Sequence, residues 1–124
     1  ITSDLFTQRG MPRWIRQAAF YDLCEKRLTN RGCVAVNVAP IDDFELDEIV
    51  QAVHTAFGGR VLRLRVPDTG NYIVFGFKAR PRHAGRATLV KRAAGLEARL
   101  QLPFSAMLNA LYASNPSRRG ELIL

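Results

Sequence analysis

Few side chains here combine a reactive type with a useful position. Asp4 lies in a short stretch, Ile1 to Phe6, that is apolar at both ends and reads as the tail of a strand. Asn37 is the polar residue in the otherwise apolar run Cys33 to Val38, CVAVNV. Asp68 and Tyr72 flank the turn built on Pro67-Asp68-Thr69-Gly70. A carboxylate where a parallel strand ends faces the crevice in which open α/β sheets bind ligands. There it would favour a cation and could take a proton from it; the alternative is a loop aspartate that caps a turn. Asn37 reads either as a companion in such a site or as a hydrogen-bond partner of the adjoining loop. Turn chemistry accounts for Asp68 without a ligand, and Tyr72 is either partial core or one wall of a substrate site.

The remaining reactive types lack partners. His54 falls beside the apolar stripe of a helix and reads as a partly exposed helix residue. His83 sits in a basic linker with no Cys or acid nearby, and no metal-ligand spacing occurs anywhere in the chain. Ser105 and Ser114 have no neighbouring His to activate them. Cys24 and Cys33 read as buried free thiols, which behave as small hydrophobes, and a cytoplasmic location follows from that use of cysteine.

The elements that must position these residues follow from periodicity. Trp14 to Leu28 spaces Trp14, Ile15, Ala18, Ala19, Phe20, Leu23, Cys24 and Leu28 as one broad helical face, ended by Asn30-Arg31-Gly32 with Gly32 in a left-handed turn. Cys33 to Val38 has strand length and Val content, and Pro40 closes it. Asp42 or Asp43 caps a second helix carrying Phe44, Leu46, Ile49, Val50, Val53 and Phe57, stopped by Gly58-Gly59. Val61 to Val66 and Tyr72 to Phe77 form an antiparallel hairpin, the second run apolar at consecutive positions as in a strand covered on both faces. A basic linker, Pro81 to Gly85, leads to helices over Ala87 to Leu102 and Phe104 to Tyr112, and Ser114 to Gly120 reads as loose. Strand–helix–strand units with short loops imply parallel pairing, to which the hairpin adds one reversed strand.

The totals bound the class. At 124 residues, 48% hydrophobic and 23% charged, the chain has one domain's length and an ordinary globular balance. No apolar run approaches the roughly 18 residues of a membrane span. Ile1 to Gly10 is not a signal peptide, and Ile1 is not an initiator Met, so a cut or trimmed chain is expected. The net charge of +7 invites a nucleic-acid reading. The densest basic region is Lys78, Arg80, Arg82, His83, Arg86, Lys91 and Arg92, with few interleaved aromatics to stack on bases, so a solvated face is the expectation.

The order of elements resembles a family. FYDLCEKRLTNRGCVAVNV, an amphipathic helix and the hairpin VPDTGNYIVFGF together resemble the C-terminal half of the spermidine synthase (polyamine aminopropyltransferase) family, down to the tail LEARLQLPF. The resemblance runs from Ile1 to about Leu111. It implies an α/β fold, the later half of a Rossmann-like methyltransferase fold. The expected sheet is mostly parallel and ends in an antiparallel hairpin, with helices on both faces. Residues 1–80 would be the partial Rossmann-like domain, and residues 81–124 the basic linker and helices packed on it. It implies a transfer from an S-adenosyl donor to an amine, with Asp4 in the place of the family's catalytic aspartate and Asn37, Asp68 and Tyr72 as substrate-binding candidates.

The departures are specific. The family's Asp-Ser-Ser-Asp-Pro loop is replaced by Asp4-Leu5-Phe6-Thr7, its usual Gln by Asn37, and Asn71 rather than an aromatic follows Gly70. No glycine-rich cofactor loop occurs, and Gly58-Gly59 follows a helix and precedes a strand, so no donor cofactor is expected on this chain alone. A homodimer, or a missing N-terminal half, would cover a sheet edge left open beside Cys33 to Val38. The competing expectations are a non-catalytic assembly domain and a basic nucleic-acid-binding module.

Overall fold

The computed structural model describes residues 1–5, 11–80, 84–116 and 122. Phe6, most of the loop Thr7 to Arg13, Arg82 and His83 of the basic linker, and most of the tail after Pro116 lie outside the described residues. Four strands and four α-helices follow in order: β1 (Thr2–Asp4), α1 (Ala18–Arg27), β2 (Cys33–Val38), α2 (Asp43–Ala56), β3 (Val61–Arg65), β4 (Tyr72–Phe77), α3 (Arg86–Leu100) and α4 (Phe104–Ser114).

The strands make one mixed sheet in the order β1-β2-β4-β3. β1 pairs with β2 in parallel, Asp4 opposite Asn37. β4 then inserts between β2 and β3, antiparallel to both. Two of the three pairings are therefore antiparallel, and the expectation of a mostly parallel sheet is corrected. The cause lies in β4 itself. Tyr72-Ile73-Val74-Phe75 is apolar on both faces, and an interior place hides more of it than an edge would. The hairpin is as expected, but its returning strand takes the seat beside β2. β2 thus has a neighbour on each side, and among the described residues the sheet ends at β1 on that flank.

One face of the sheet is the core. Val34, Val36 and Val38 alternate inward from β2, are fully buried, and meet Val74 of β4. Against them pack Tyr21 and Cys24 of α1 and Leu46, Ile49, Ala52, Val53 and Phe57 from α2 and its end. Each such fully buried Val contributes about 1.5–3 kcal/mol. Phe57 lies directly under Gly76: a Cβ there would stand 2.5 Å from its ring. On the other face Cys33, Ala35, Ile73, Phe75 and Phe77 are half-buried, and α4 packs along β3.

Two expectations about the first helix are corrected. It is not continuous from Trp14: Arg13–Arg16 is a 3-10 turn, and Gln17 is extended at φ −102° and ψ 127° before α1 starts. The break resets the helical phase. Ile15, Tyr21 and Cys24 are buried, whereas Leu23 is 62% exposed and Trp14 is 41% exposed, its ring tilted against Phe20 at 4.7 Å. Gly32 is not left-handed; positive φ occurs at Gly58 and Gly59. The neighbourhood of Gly32 is tight instead: a Cβ there would sit 2.9 Å from Leu28 Cδ2 and 3.1 Å from the Thr29 carbonyl oxygen, so Leu28 would have to shift.

Capping chemistry fixes α2. Asp42 is the N-cap, its Oδ1 accepting from the Glu45 N–H at 2.8 Å, while Glu45 Oε2 accepts from the Ile41 N–H at 2.8 Å. Arg16 reaches across to Glu48 at 3.2 Å and ties the 3-10 turn to the same helix. At the far flank, Asn115 treats β3 as a strand would. Its Oδ1 accepts from the Arg63 N–H at 3.0 Å, and its Nδ2 donates to the Arg63 carbonyl at 2.6 Å. Ser114 Oγ accepts from the Arg65 N–H at 3.1 Å.

Candidate active site

The parallel pair β1–β2 brings Asp4 and Asn37 together. They are register partners, so both project from the face opposite the valine core. Asn37 Nδ2 donates to Asp4 Oδ1 at 3.1 Å. A third residue completes the row: Asn71 Nδ2 donates to Asn37 Oδ1 at 3.1 Å. Asp4 is exposed and Asn37 and Asn71 are half-buried. The carboxylate thus stands at the carboxyl end of β1, open to solvent, with one oxygen held by a neutral donor. Such a group can bind a cation and accept a proton from it.

Asn71 is anchored by the hairpin. Its carbonyl accepts from the Val66 N–H at 2.9 Å, and its N–H donates to Thr69 Oγ1 at 3.1 Å. Sequence reasoning noted Asn71 only as the residue after Gly70. Nothing in its spacing marks it, because its partner is 34 positions away.

Asp68 and Tyr72 are placed elsewhere. Tyr72 is opposite Val38 and packs on the core, on the other face of the sheet from Asn37. Asp68 is exposed in the turn at φ 60°, a conformation Asp tolerates. Both line an open groove of about 1090 Å³ with Asp43, Asp47, Arg63 and Arg65. Arg63 is 3.8 Å from Asp47 there. The groove mixes three acids with two arginines and lies between α2, the hairpin turn and α4.

The other titratable groups have structural work. Burial pushes the Tyr21 hydroxyl far above its ordinary range and raises the Cys24 thiol as well. The hydroxyls of Tyr21 and Ser3 are buried with no hydrogen-bond partner among the described residues. Hydrogen bonding to Ser105, whose N–H donates to Glu97 at 3.0 Å, holds the Glu97 carboxyl below the usual range. Lys78 Nζ donates to the Glu25 carbonyl at 2.9 Å and lies 3.6 Å from its carboxylate, at the end of α1. Arg86 stacks over the Tyr112 ring at 4.8 Å. Two members of the basic stretch are therefore engaged within the fold. His54 is exposed on α2. Cys24 and Cys33 are free thiols, Cys24 buried and Cys33 half-buried. Among the described residues there is no cluster of three His, Cys, Asp or Glu that could hold a metal ion. None of their helices is long and apolar enough to cross a membrane.

No family model matches the chain, and no solved structure matches it. Curated proteins do. Over 98 residues, 79% of this chain, it is 32% identical to the polyamine aminopropyltransferase of Neisseria meningitidis serogroup A, strain Z2491. The same identity and span hold for the polyamine aminopropyltransferase of Neisseria meningitidis serogroup B, strain MC58. The chain spans 37% of the length of these relatives. A mixed β-sheet flanked by helices, with a carboxylate held by a carboxamide at its strand ends, thus occurs in a chain distantly related to the polyamine aminopropyltransferases.

Proposed function

We propose that this chain forms the later half of a Rossmann-like methyltransferase-type fold and supplies the amine side of a spermidine synthase-like transferase. The observation that carries the reading is the Asp4 carboxylate, exposed at the carboxyl end of a parallel strand and held by Asn37. The distant kinship with polyamine aminopropyltransferases supports it. So does strand direction: β1, β2 and β3 run the same way and β4 alone is reversed between them.

On this reading Asp4 pairs with the ammonium group of an alkyl amine and takes its proton, freeing the nitrogen lone pair for attack. Asn37 keeps the carboxylate from rotating. Among the described residues none makes a glycine-rich turn of the kind that would grip an S-adenosyl donor. The glycine pair with positive φ, Gly58-Gly59, leads from a helix into a strand, the reverse of a nucleotide-gripping turn. On this reading the donor site is supplied by residues other than these.

Titration of the whole chain with 1,4-diaminobutane at low salt, followed by NMR, tests the proposal. An exposed ion pair is worth about 1 kcal/mol or less, so binding is expected to be weak, roughly millimolar with the added contacts of the alkyl chain. The perturbed signals should include Asp4 and Asn37, and D4N should abolish them. Equal binding by D4N would remove the proposal.

A further inference from the structure

We infer that Asn71 is a positioning residue that orients the Asp4 carboxylate through Asn37 and so decides which of its oxygens receives a proton. The inference rests on the reading of Asp4 as the amine-binding base. It follows from a polarity that the hydrogen-bond row cannot reverse. An ionised carboxylate only accepts. Asn37 must therefore turn its NH2 toward Asp4, which turns its carbonyl oxygen toward Asn71. Asn71 must in turn present its own NH2. The amide orientations are thus dictated from Asp4 outward, and both contacts are 3.1 Å.

The far end of the row is fixed by the backbone. Asn71 closes the β3–β4 hairpin, accepting from Val66 and donating to Thr69 Oγ1, which itself donates to the Val66 carbonyl at 3.3 Å. The row crosses the ends of three strands, β1, β2 and β4. A turn at one side of the sheet is thereby coupled to a carboxylate at the other.

The proton consequence is specific. Protonation of Asp4 at Oδ1 would leave the Asn37 NH2 facing a hydroxyl oxygen, a weaker acceptor, or facing its O–H directly. Protonation at Oδ2 leaves the row intact. Asn71 thus makes Oδ2 the accepting atom and keeps Oδ1 as an anchored acceptor.

The test uses the whole chain with labelled side-chain amides. N71D is nearly isosteric but sets a second carboxylate against the Asn37 carbonyl oxygen, so Asn37 must give up one of its two contacts. Its side-chain NH2 signals should move, and so should the carboxyl carbon of Asp4. N71L removes the donor without adding charge, and loss of the oriented charge-assisted bond should weaken 1,4-diaminobutane binding by about tenfold. Asn37 signals that match wild type in N71D would overturn the inference, as would unchanged diamine affinity in N71L. If the wild-type chain binds no diamine, the amine reading falls and the Asn37 spectra alone decide the coupling. If N71D does not fold, D4A, which removes the acceptor altogether, reads the row from its other end. Movement of the Asn71 amide signals then supports the inference, and their constancy overturns it.

Discussion

Replacing Gly76 by alanine should be among the most damaging single-methyl additions in the chain. A Cβ at this site meets three ring carbons of Phe57 at 2.5, 2.8 and 2.9 Å. Carbon atoms in good contact sit about 3.5–4.0 Å apart, so the ring would have to retreat by roughly 1 Å. It has nowhere to go: Phe57 is fully buried between the end of α2 and β4. Overpacking of this kind costs about 1–3 kcal/mol, and a rigid ring pressed against a central strand belongs at the upper end. At about 4 °C per kcal/mol for a chain of this size, the melting temperature should fall by roughly 10 °C. Urea unfolding followed by far-UV circular dichroism and by the fluorescence of Trp14 measures the change, and coincidence of the two probes checks two-state behaviour. The diagnostic step is a cycle with F57L. That change opens space under Gly76, so G76A should cost much less in its presence, with a coupling of about 2 kcal/mol. A G76A variant within about 0.5 kcal/mol of wild type, or a cycle additive within that margin, would refute the packing argument.

Other outcomes follow from individual contacts. D42A should destabilise α2 by about 1 kcal/mol, read as a lower urea midpoint, because the Glu45 N–H loses its acceptor. Y21F should be nearly neutral or stabilising by the same assay, since the buried hydroxyl has no partner to lose. Tyr21 and Cys24 both have raised folded-state pKa values, so their contribution is complete below the ordinary thiol and phenol ranges and is lost as pH rises through them. Alkaline melting curves of wild type, C24A and Y21F, compared over that window, should separate the two contributions. Glu97 has the opposite sign. Its lowered pKa gives a contribution present above the usual carboxylate range and lost as pH falls through the folded value, so E97Q should flatten the acid limb of the helix signal.

What could be read from residue order was whatever depends on neighbours in the chain. The strand length and Val content of CVAVNV, between Gly32 and Pro40, announced β2, as found. The acids before Phe44 announced the α2 cap, and Pro67 to Gly70 announced the hairpin. Pairing partners are different, because a strand's pattern states how its faces are covered and not which strand lies beside it. The apolar character of Tyr72–Phe77 required a sheltered position without naming β2 as the neighbour. Helical phase failed at α1 for a related reason: an extended Gln17 leaves the spacing of Trp14 and Leu23 looking helical while rotating them into water. Asp4 and Asn37 were recognised separately; their register, and the reach of Asn71 to them, exist only once β1, β2 and β4 are side by side.

The carboxamide of Asn115 has a consequence for whatever this molecule joins. With the N–H and carbonyl of Arg63 both engaged, an arriving strand would find its rungs on that flank already taken. Among the described residues, lateral growth of the sheet is thereby directed past Thr2–Asp4. Any strand that docks there lies alongside the residue proposed as the base. A sheet neighbour, whether from another molecule or elsewhere in a longer chain, would thus also become a wall of the proposed amine site.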